Sequence, residues 1–470
     1  MSDTEARFQV LRQSADAVAA AALEQLVAQA EDARLNRINA LDFAAEHGLP
    51  LEQVLDLFLH AARLGLFDLS WNILCPGCGG VLRSHATLRT LQRQEYACAL
   101  CAAGYEASLD EMVEVAFTVN PRVRQIAAHQ PDALPIWDYQ QQMYWSSGIE
   151  FPRGAAFDHF MQHAVLDWAE LAPGEKATMS VQLPQDFVIL FEPVTHAAIF
   201  IDVQGEPTRE RQELGAVFNR VQAPTGKHVL RPGPLRLTLE NRTDTRVLPG
   251  LYIAGDVLHD TLAKRKPFLT AKRLLTHQTF RDLFQTDTLD VDQRLKITSL
   301  TFVFTDLKAS TELYERVGDL AAYDLVQAHF GVLGEAVSRE SGAVVKTIGD
   351  AVMATFPTPD NGLGAVLRMR EAMRRLNEDR GREDLLLKIG IHEGPCLAVT
   401  LNDRLDYFGQ TVNIAARVQA LATSQAAFAT EPVVRDAAAA RRLAGAGLQP
   451  RPLRCTLRGI SGDYTVYEIP

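Results

Sequence analysis

The chain lacks any long uninterrupted hydrophobic run. None of its 470 residues lies in a stretch approaching about 18 consecutive apolar residues, so the sequence predicts no transmembrane helix. The amino-terminal segment, MSDTEARFQV, has no basic region followed by an apolar core and therefore does not resemble a secretory signal. These two absences predict a cytoplasmic protein with no membrane partner.

Positive charge is also in short supply. The sequence has 47 Lys and Arg residues against 58 Asp and Glu residues, which gives a net charge of −11 at pH 7. Proteins that bind nucleic acid are usually basic, because neutralised phosphates supply much of the binding free energy. The balance therefore disfavours nucleic acid as a partner, and a bound polyanion would need local positive charge or metal ions.

Cysteine is rare, but four of the six cysteines follow a metal-binding spacing. Cys75 and Cys78 form one CxxC pair, and after nineteen residues Cys98 and Cys101 form a second. Two such turns supply the four sulfurs of a tetrahedral Zn²⁺ site, whereas two redox dithiols or another thiolate-bound metal are the alternatives. The spacing predicts one structural Zn²⁺ in a zinc ribbon, with no position open for catalysis.

The length exceeds what one hydrophobic core usually supports, and composition changes along the chain predict a multidomain α+β protein. The predicted segments are residues 1–70 (helical, winged-helix-like), 71–117 (zinc ribbon), 118–175 (mixed helical and aromatic), 176–262 (a β-sandwich regulatory domain), 263–294 (a linker with a coupling helix) and 295–470 (the domain with the candidate catalytic motifs).

The amino-terminal segment is predicted to be helical. Residues 1–35 are rich in alanine and predict one long amphipathic helix. Residues 39–69 predict two short helices about a turn at 47–50, followed by a strand, which is the element order of a winged helix-turn-helix. Residues 1–70 contain eleven acidic and five basic side chains. We therefore expect packing or protein interaction here in preference to DNA binding.

Two features lie between the cysteines and the last domain. Five alternating apolar runs, ATMSVQL, DFVILFEP, AAIFIDV, LRLTLEN and GLYIAGD, are separated by Pro, Gly, Asn and Asp and predict a small β-sandwich. The apolar pattern of residues 270–284 predicts a single helix that couples this upstream region to the last domain.

The last domain contains two aspartates at the predicted ends of apolar strands. Ile297–Thr311 predicts a strand that ends at Asp306, and Gly342–Phe356 predicts a hairpin that turns at Asp350. Two converging carboxylates, together with nucleotide phosphates, form the oxygen-rich environment that Mg²⁺ or Mn²⁺ prefers. A helix start after Asp306 can bind phosphate through backbone N–H groups. The candidates for this role are Leu307, Lys308, Ala309, Ser310 and Thr311.

Residues 297–470 resemble a class III nucleotidyl cyclase catalytic domain, on the motifs FTDLKAST, TIGDAVM and DYFGQTVNIAAR. The resemblance implies a ferredoxin-like βαββαβ core, an obligatory head-to-tail homodimer, and conversion of ATP or GTP to the 3′,5′-cyclic nucleotide and pyrophosphate. The upstream region resembles a helix-turn-helix and zinc-ribbon region that is found fused to such cyclases.

The resemblance implies that Lys346 and Asp406 read the nucleotide base. Adenine presents an acceptor at N1 and a donor at N6, which suit lysine and aspartate respectively. Guanine reverses both groups, so the same pair would leave desolvated polar groups opposed. The implied substrate is therefore ATP.

The resemblance also assigns the remaining site residues. Asp306 and Asp350 match the ligands of two Mg²⁺ or Mn²⁺ ions, which act on the attacking and departing oxygens of an in-line displacement. Asn413 and Arg417 match the pair that orients the ribose and meets the charge on the α-phosphate in the transition state. Arg458 matches a basic residue that contacts the triphosphate.

The sequence as a whole predicts a homodimeric adenylate cyclase that produces 3′,5′-cyclic AMP and pyrophosphate. Its upstream domains would regulate it in response to an unidentified small molecule or protein. One alternative is a guanylate cyclase, which Lys346 and Asp406 disfavour. Another is a nucleotide-binding or DNA-binding regulator without turnover.

Overall fold

The computed structural model describes residues 2–92, 95–219, 225–308, 310–382, 385–423 and 426–470. Among these residues, no helix combines the length and the apolar character that a membrane crossing requires. The chain divides into two compact units. One unit comprises residues 1–86, 94–107 and 112–269, and the other comprises residues 87–93, 108–111 and 270–470.

The amino-terminal unit is a mixture of helices and sheets. Its helices are α1 (Asp3–Ser14), α2 (Ala17–Gln29), α3 (Ala40–His47), α4 (Leu51–Arg63), α5 (Ile136–Tyr139), α6 (Ala155–Ala164) and α7 (Asp256–Ala263). Its strands are β1 (Phe67–Leu74), β2 (Val81–His85), β3 (Glu95–Cys98), β4 (Ala103–Glu106), β5 (Val113–Val119), β6 (Val165–Trp168), β7 (Lys176–Leu183), β8 (Phe187–Glu192), β9 (Ala197–Val203), β10 (Gln212–Phe218), β11 (Thr225–Leu230), β12 (Gly233–Asn241) and β13 (Gly250–Ile253).

The single long helix predicted for residues 1–35 is wrong, because the structure has two helices there. Helix α1 ends at Ser14, and Ala15 takes an extended conformation with φ −135° and ψ 176°. The Asp16 side chain then accepts hydrogen bonds from the backbone N–H groups of Val18 and Ala19 and caps α2. An N-cap aspartate stabilises a helix start, so it divides a segment whose alanine content favours helix throughout.

Helices α3 and α4 and strand β1 follow the predicted order around a turn at Gly48, whose φ of 62° ends α3. The Phe58 ring on α4 is fully buried and packs against the rings of Phe43, Phe67 and Phe117. These contacts join α3, α4, β1 and β5 in one aromatic core. Strand β1 lies between β2 and β5 in a three-stranded sheet.

Two sheets enclose the second core of this unit. One has the strand order β10-β12-β7 and the other the order β11-β9-β8-β13-β6, and apolar residues from both form a single cluster. The five predicted strands are present as β7, β8, β9, β12 and β13, whereas β6, β10 and β11 were missed. Parallel pairing of β10 with β12 and of β11 with β9 was not foreseen from the alternating pattern.

The single coupling helix predicted for residues 270–284 is also wrong. The structure has two short helices, α8 (Ala271–Leu275) and α9 (Gln278–Leu283). The Thr276 hydroxyl donates to the carbonyl oxygens of Lys272 and Arg273, and His277 takes an extended conformation. A side chain that bonds to the preceding turn competes with helix continuation, which explains the break.

The carboxy-terminal unit continues with one eight-stranded sheet and its helices. The elements are β14 (Arg294–Leu307), α10 (Ser310–Val317), α11 (Asp319–Arg339), β15 (Ala343–Ile348), β16 (Ala351–Phe356), α12 (Pro359–Arg380), β17 (Leu387–Leu401), β18 (Arg404–Phe408), α13 (Gln410–Leu421), β19 (Ala427–Thr430), α14 (Glu431–Arg435), α15 (Ala437–Gly445), β20 (Arg451–Thr456) and β21 (Asp463–Ile469).

The strands of this sheet lie in the order β15-β16-β14-β17-β19-β21-β20, with β18 paired to β17. The first four strands and the helices between them follow the βαββαβ sequence. Alternate residues of β19 point to opposite faces of the sheet. Ala427 and Ala429 join the core beneath α11 and α12, whereas Phe428 joins a second core with Ile414 and Val418 of α13. Helix α13 therefore covers the face opposite α11 and α12.

Candidate active site

Asp306 and Asp350 lie close together, where β14 ends and its neighbour β16 begins. Asp306 is the penultimate residue of β14, and Asp350 occupies the turn between β15 and β16 after Gly349, whose φ is 64°. One carboxylate oxygen of Asp350 accepts a hydrogen bond of 3.2 Å from the backbone N–H of Leu307. The sheet and this turn together place both carboxylates at one site.

The electrostatics of this pair suit a cation. Burial raises the pKa of Asp306 above its usual value, and the neighbouring charge of Asp350 raises it further. Two neighbouring carboxylates, one of them partly buried, are a donor set that a divalent cation stabilises. The residues present therefore fit Mg²⁺ or Mn²⁺, as the sequence predicts.

Part of the predicted phosphate-binding segment is already hydrogen-bonded within the chain. The N–H of Leu307 donates to Asp350, and the N–H of Lys308 donates to the Leu386 carbonyl at 2.8 Å. Helix α10 begins at Ser310. Ala309 lies outside the described residues, and so do the side chains of Ser310 and Thr311.

Lys346 and Asp406 form an ion pair across 60 residues of sequence, on β15 and β18 respectively. The Lys346 side chain is 41% exposed and that of Asp406 is 9% exposed, so the ammonium is open to water and the carboxylate is largely buried. The second carboxylate oxygen of Asp406 accepts the N–H of Tyr407 at 2.8 Å. The structure thus brings together two residues that the sequence pairs only through a resemblance.

Asn413 and Arg417 lie on the exposed side of α13. The other side of this helix buries Thr411, Ile414, Ala415 and Val418 against the sheet. Because the two polar residues are four apart, they share one helix face and are accessible together. Arg458, between β20 and β21, is likewise exposed.

His329 contacts the Asp350 turn, and the sequence analysis missed it. It is fully buried on α11, and its Nε2 lies 3.3 Å from the backbone carbonyl oxygen of Asp350. Burial lowers its pKa to about 4, so the imidazole is neutral near pH 7. A histidine on the apolar side of an otherwise ordinary helix is a weak signal, and only the fold shows that it supports the Asp350 turn.

The four cysteines of the two CxxC pairs converge in the amino-terminal unit. Their sulfur atoms all lie within 4.8 Å of one another, and the Cys75–Cys101 and Cys78–Cys98 sulfur separations are both 3.7 Å. Sulfurs about 2.3 Å from a tetrahedral Zn²⁺ would be about 3.8 Å apart. The N–H of Cys78 also points at the Cys75 sulfur at 3.5 Å. This cluster can hold a metal ion.

A polar cavity of about 630 Å³ lies within the amino-terminal unit. Its lining includes cationic, anionic and aromatic side chains, among them Arg37, Asp42, Trp145, Arg153 and Lys266. Lys266 is paired with Asp42, and Arg37 with the buried Glu114. The cavity is large enough for a small molecule.

Two family models match the chain, one in its amino-terminal part and one in its carboxy-terminal part. A family model described as a family of unknown function (DUF5939) matches residues 1–282, which is more than half of the chain. The chain belongs to the DUF5939 family. A second model, described as the adenylate and guanylate cyclase catalytic domain, matches residues 293–436 of this DUF5939 protein. The resemblance of the last domain to a cyclase catalytic domain is therefore confirmed.

Individual relatives match a part of the chain. Adenylate cyclase 2 of Rhizobium meliloti (strain 1021) is 30% identical over 197 residues, which are 39% of the DUF5939 chain and 52% of the relative. An adenylate cyclase of Anabaena cylindrica is 28% identical over 152 residues, covering 29% and 30% respectively. The chain thus spans about half or less of these relatives.

Among solved structures, the adenylyl cyclase CyaB from P. aeruginosa is 22% identical with a TM-score of 0.33, covering 38% of this DUF5939 chain and 96% of that one. The guanylyl cyclase Cya2 is 20% identical with a TM-score of 0.32, covering 38% and 92% respectively.

Proposed function

We propose that this protein is an adenylate cyclase that converts ATP to 3′,5′-cyclic AMP and pyrophosphate. In this reaction a bond forms between the ribose O3′ and the α-phosphorus, the bond from that phosphorus to the pyrophosphate oxygen breaks, and the proton of the 3′-OH is released. The contact between Lys346 and Asp406 is the observation that favours ATP as the substrate. The cyclase catalytic domain and relatives named adenylate cyclases also support it.

Bound adenine would separate the ion pair, and its edge would form one hydrogen bond with Lys346 and one with Asp406. The Lys346 ammonium has only donors and can serve N1, whereas the Asp406 carboxylate has only acceptors and can serve the N6 amino group. Guanine offers a carbonyl oxygen and an N1–H at the corresponding positions, so each protein group would face a like partner. A buried polar group without a partner is penalised by about 1–3 kcal/mol, which is enough to discriminate between the two bases.

The remaining residues would act on the ribose and the phosphates. Asn413 would orient the ribose, Arg417 would meet the charge that develops on the α-phosphate, and Arg458 would contact the triphosphate. Asp306 and Asp350 would hold two Mg²⁺ or Mn²⁺ ions, which when bound stabilise negative charge on the reacting oxygens. We propose that these groups complete one another across a homodimer, which is consistent with the exposed positions of Asn413 and Arg417.

The upstream region would regulate this activity without catalysing a reaction. We propose that the cysteine cluster holds one structural Zn²⁺ as a zinc ribbon, because all four of its positions are thiols. We propose a winged-helix-like role in packing for α3, α4 and β1, since the acidic balance of residues 1–70 opposes DNA binding. The polar cavity of the amino-terminal unit is where a small-molecule regulator would bind.

The decisive experiment measures cyclic nucleotide production by the purified full-length chain. ATP and GTP are supplied separately, each with Mg²⁺ or Mn²⁺, and the products are quantified by chromatography. We expect cyclic AMP from ATP, with kcat/KM at least about tenfold above that for GTP. The double variant Asp306→Asn, Asp350→Asn keeps the shape of both side chains and should make neither product.

Each alternative predicts a different result. Preferential formation of cyclic GMP would identify a guanylate cyclase and overturn the proposed base assignment. Nucleotide binding without either product would indicate a regulator without turnover. Specific retardation of genomic DNA fragments in a gel, without cyclase activity, would instead indicate a DNA-binding regulator.

A further inference from the structure

Helix α9 contacts the two strands that present Lys346 and Asp406. One guanidinium nitrogen of Arg281 donates a 2.7 Å hydrogen bond to the Leu405 carbonyl oxygen, and the same nitrogen lies 3.4 Å from the Val345 carbonyl oxygen. These carbonyls belong to the residues immediately before Asp406 and Lys346. A single side chain therefore joins the backbones that hold both members of the ion pair.

A second contact attaches the same helix to β15. The side-chain oxygen of Gln278, one turn before Arg281, accepts the Val344 N–H at 2.8 Å. On the β18 side, the buried Tyr407 hydroxyl lies 3.5 Å from the Leu275 carbonyl oxygen at the end of α8. Both short helices thus contact backbone or side chains within two residues of the ion pair.

These two strands belong to the same sheet but are not neighbours in it. Strand β15 is at the sheet edge and pairs with β16, whereas β18 pairs with β17. No backbone ladder between described residues connects β15 directly to β18. No ladder between their own two strands therefore fixes the separation of Lys346 and Asp406, whereas the Arg281 bridge contacts both strands directly.

We propose that Arg281 is a positioning residue for base recognition, which sets the separation of Lys346 and Asp406 from helix α9. This inference rests on the proposed adenylate cyclase function. Arginine suits the role because its guanidinium is planar, permanently charged and able to donate to two acceptors at once. A shift of about 1 Å between two base-contacting groups can reduce the rate by about a hundredfold. Displacement of α9 would thus change ATP recognition without altering the carboxylates.

The first test compares nucleotide selectivity in full-length variants. Arg281→Ala should raise the KM for ATP and lower the ratio of kcat/KM for ATP to that for GTP, each by about tenfold, while kcat changes less. Arg281→Lys keeps the charge and three N–H donors but reaches less far than the guanidinium, so we expect intermediate values. Arg294→Ala removes an exposed arginine at the start of β14 and should match wild type.

The second test needs no activity. Amide hydrogen exchange, followed by mass spectrometry, reports on peptides that cover β15 and β18 in the apoprotein. Arg281→Ala should accelerate exchange in both strands and leave β19 and β21 unchanged, whereas Arg294→Ala should leave all four unchanged.

The two tests separate failure of this inference from failure of the proposed function. If wild type makes no cyclic nucleotide but Arg281→Ala loosens both strands, the proposed function is wrong and the role in base recognition falls with it, while the structural bridge between the two strands stands. If wild type makes cyclic AMP while Arg281→Ala alters neither selectivity nor exchange, the function stands and the inference is overturned. A fall in kcat alone, with unchanged selectivity and exchange, would also overturn it.

Discussion

At the residue scale, the charged groups of the candidate site contribute more to nucleotide recognition than to the stability of the fold. The Lys346–Asp406 ion pair has one partner that is 41% exposed. Ion pairs open to water contribute only about 0–1 kcal/mol to the free energy of unfolding, because solvent screens them and holding the side chains is entropically unfavourable. The same charges have a larger effect when they face the edge of a bound base.

Replacing either partner should therefore affect catalysis far more than folding. We expect Lys346→Ala and Asp406→Asn each to reduce kcat/KM for ATP by about a hundredfold, since each leaves a base group without its partner. The melting temperature should change by less than about 4 °C, the equivalent of about 1 kcal/mol. Steady-state kinetics and thermal unfolding measure the two effects.

Lys296→Ala is the matched control for these substitutions, because Lys296 is an exposed lysine on β14 and should leave both quantities unchanged. An equal loss of activity with ATP and GTP in both variants, together with a large drop in melting temperature, would contradict a recognition role.

At the scale of single elements, the position of α13 depends on a glycine beneath it. Gly390 lies on β17, and a Cβ atom there would meet the backbone nitrogen of Gln419 on α13 at 2.1 Å. The contact is with main chain, so no side-chain rotation can relieve it. The absence of a side chain at Gly390 is what allows α13, with Asn413 and Arg417, to pack closely on the sheet.

Gly390→Ala should consequently displace α13. We expect a loss of about 1–3 kcal/mol in the free energy of unfolding and a decrease in kcat, because Asn413 and Arg417 would move with the helix. Gly331→Ala is the control: it places the same methyl group on α11, where no atom lies within 4 Å, and should be neutral or stabilising. Unchanged kinetics in Gly390→Ala would refute this dependence of α13.

The cysteine cluster is the second element whose behaviour can be tested separately. We expect one zinc ion per chain, and Cys98→Ser should lose that ion and destabilise the amino-terminal unit, because metal binding contributes directly to the folding of small thiolate sites. Elemental analysis and thermal unfolding measure these outcomes. Cys455→Ser removes a half-buried thiol outside the cluster and should retain the metal. Full zinc content in Cys98→Ser would contradict the proposed site.

At the scale of the whole molecule, the candidate catalytic groups of one chain lie in two separate parts of the fold. Asp306 and Asp350 lie at the strand ends near β14, whereas Asn413 and Arg417 lie on α13, which covers the face of the sheet opposite α11 and α12. If one chain supplies the carboxylates and its partner the helix residues, two chains are needed for every complete site.

This division predicts complementation between two inactive variants. Asp306→Ala and Asn413→Ala should each be inactive alone, and a mixture that forms heterodimers should recover activity from one intact site per heterodimer. Differently tagged copies allow the heterodimer to be isolated and its cyclic AMP production measured. An inactive purified heterodimer would refute the shared site. Two copies of the same variant, mixed in the same way, serve as the control.

The sequence alone was sufficient for features encoded by short spacings. The CxxC pairs, the apolar strand before Asp306 and the Gly349–Asp350 turn depend on neighbouring residues, so local geometry determines them. The βαββαβ order of the cyclase domain was implied by the family resemblance, which rests on three short motifs. The two wrong predictions, at residues 1–35 and 270–284, arose because capping by Asp16 and Thr276 opposes an otherwise continuous helical pattern.

Tertiary structure decided everything that depends on distant segments meeting. The ion pair of Lys346 with Asp406, the support of Asp350 by His329, and the Arg281 bridge each join residues at least 21 positions apart. No local pattern encodes such contacts, because they arise only when the sheet order and the packing of helices on it are set. The sequence by itself thus determined which chemical groups are available, and the packed sheet determined which of them meet.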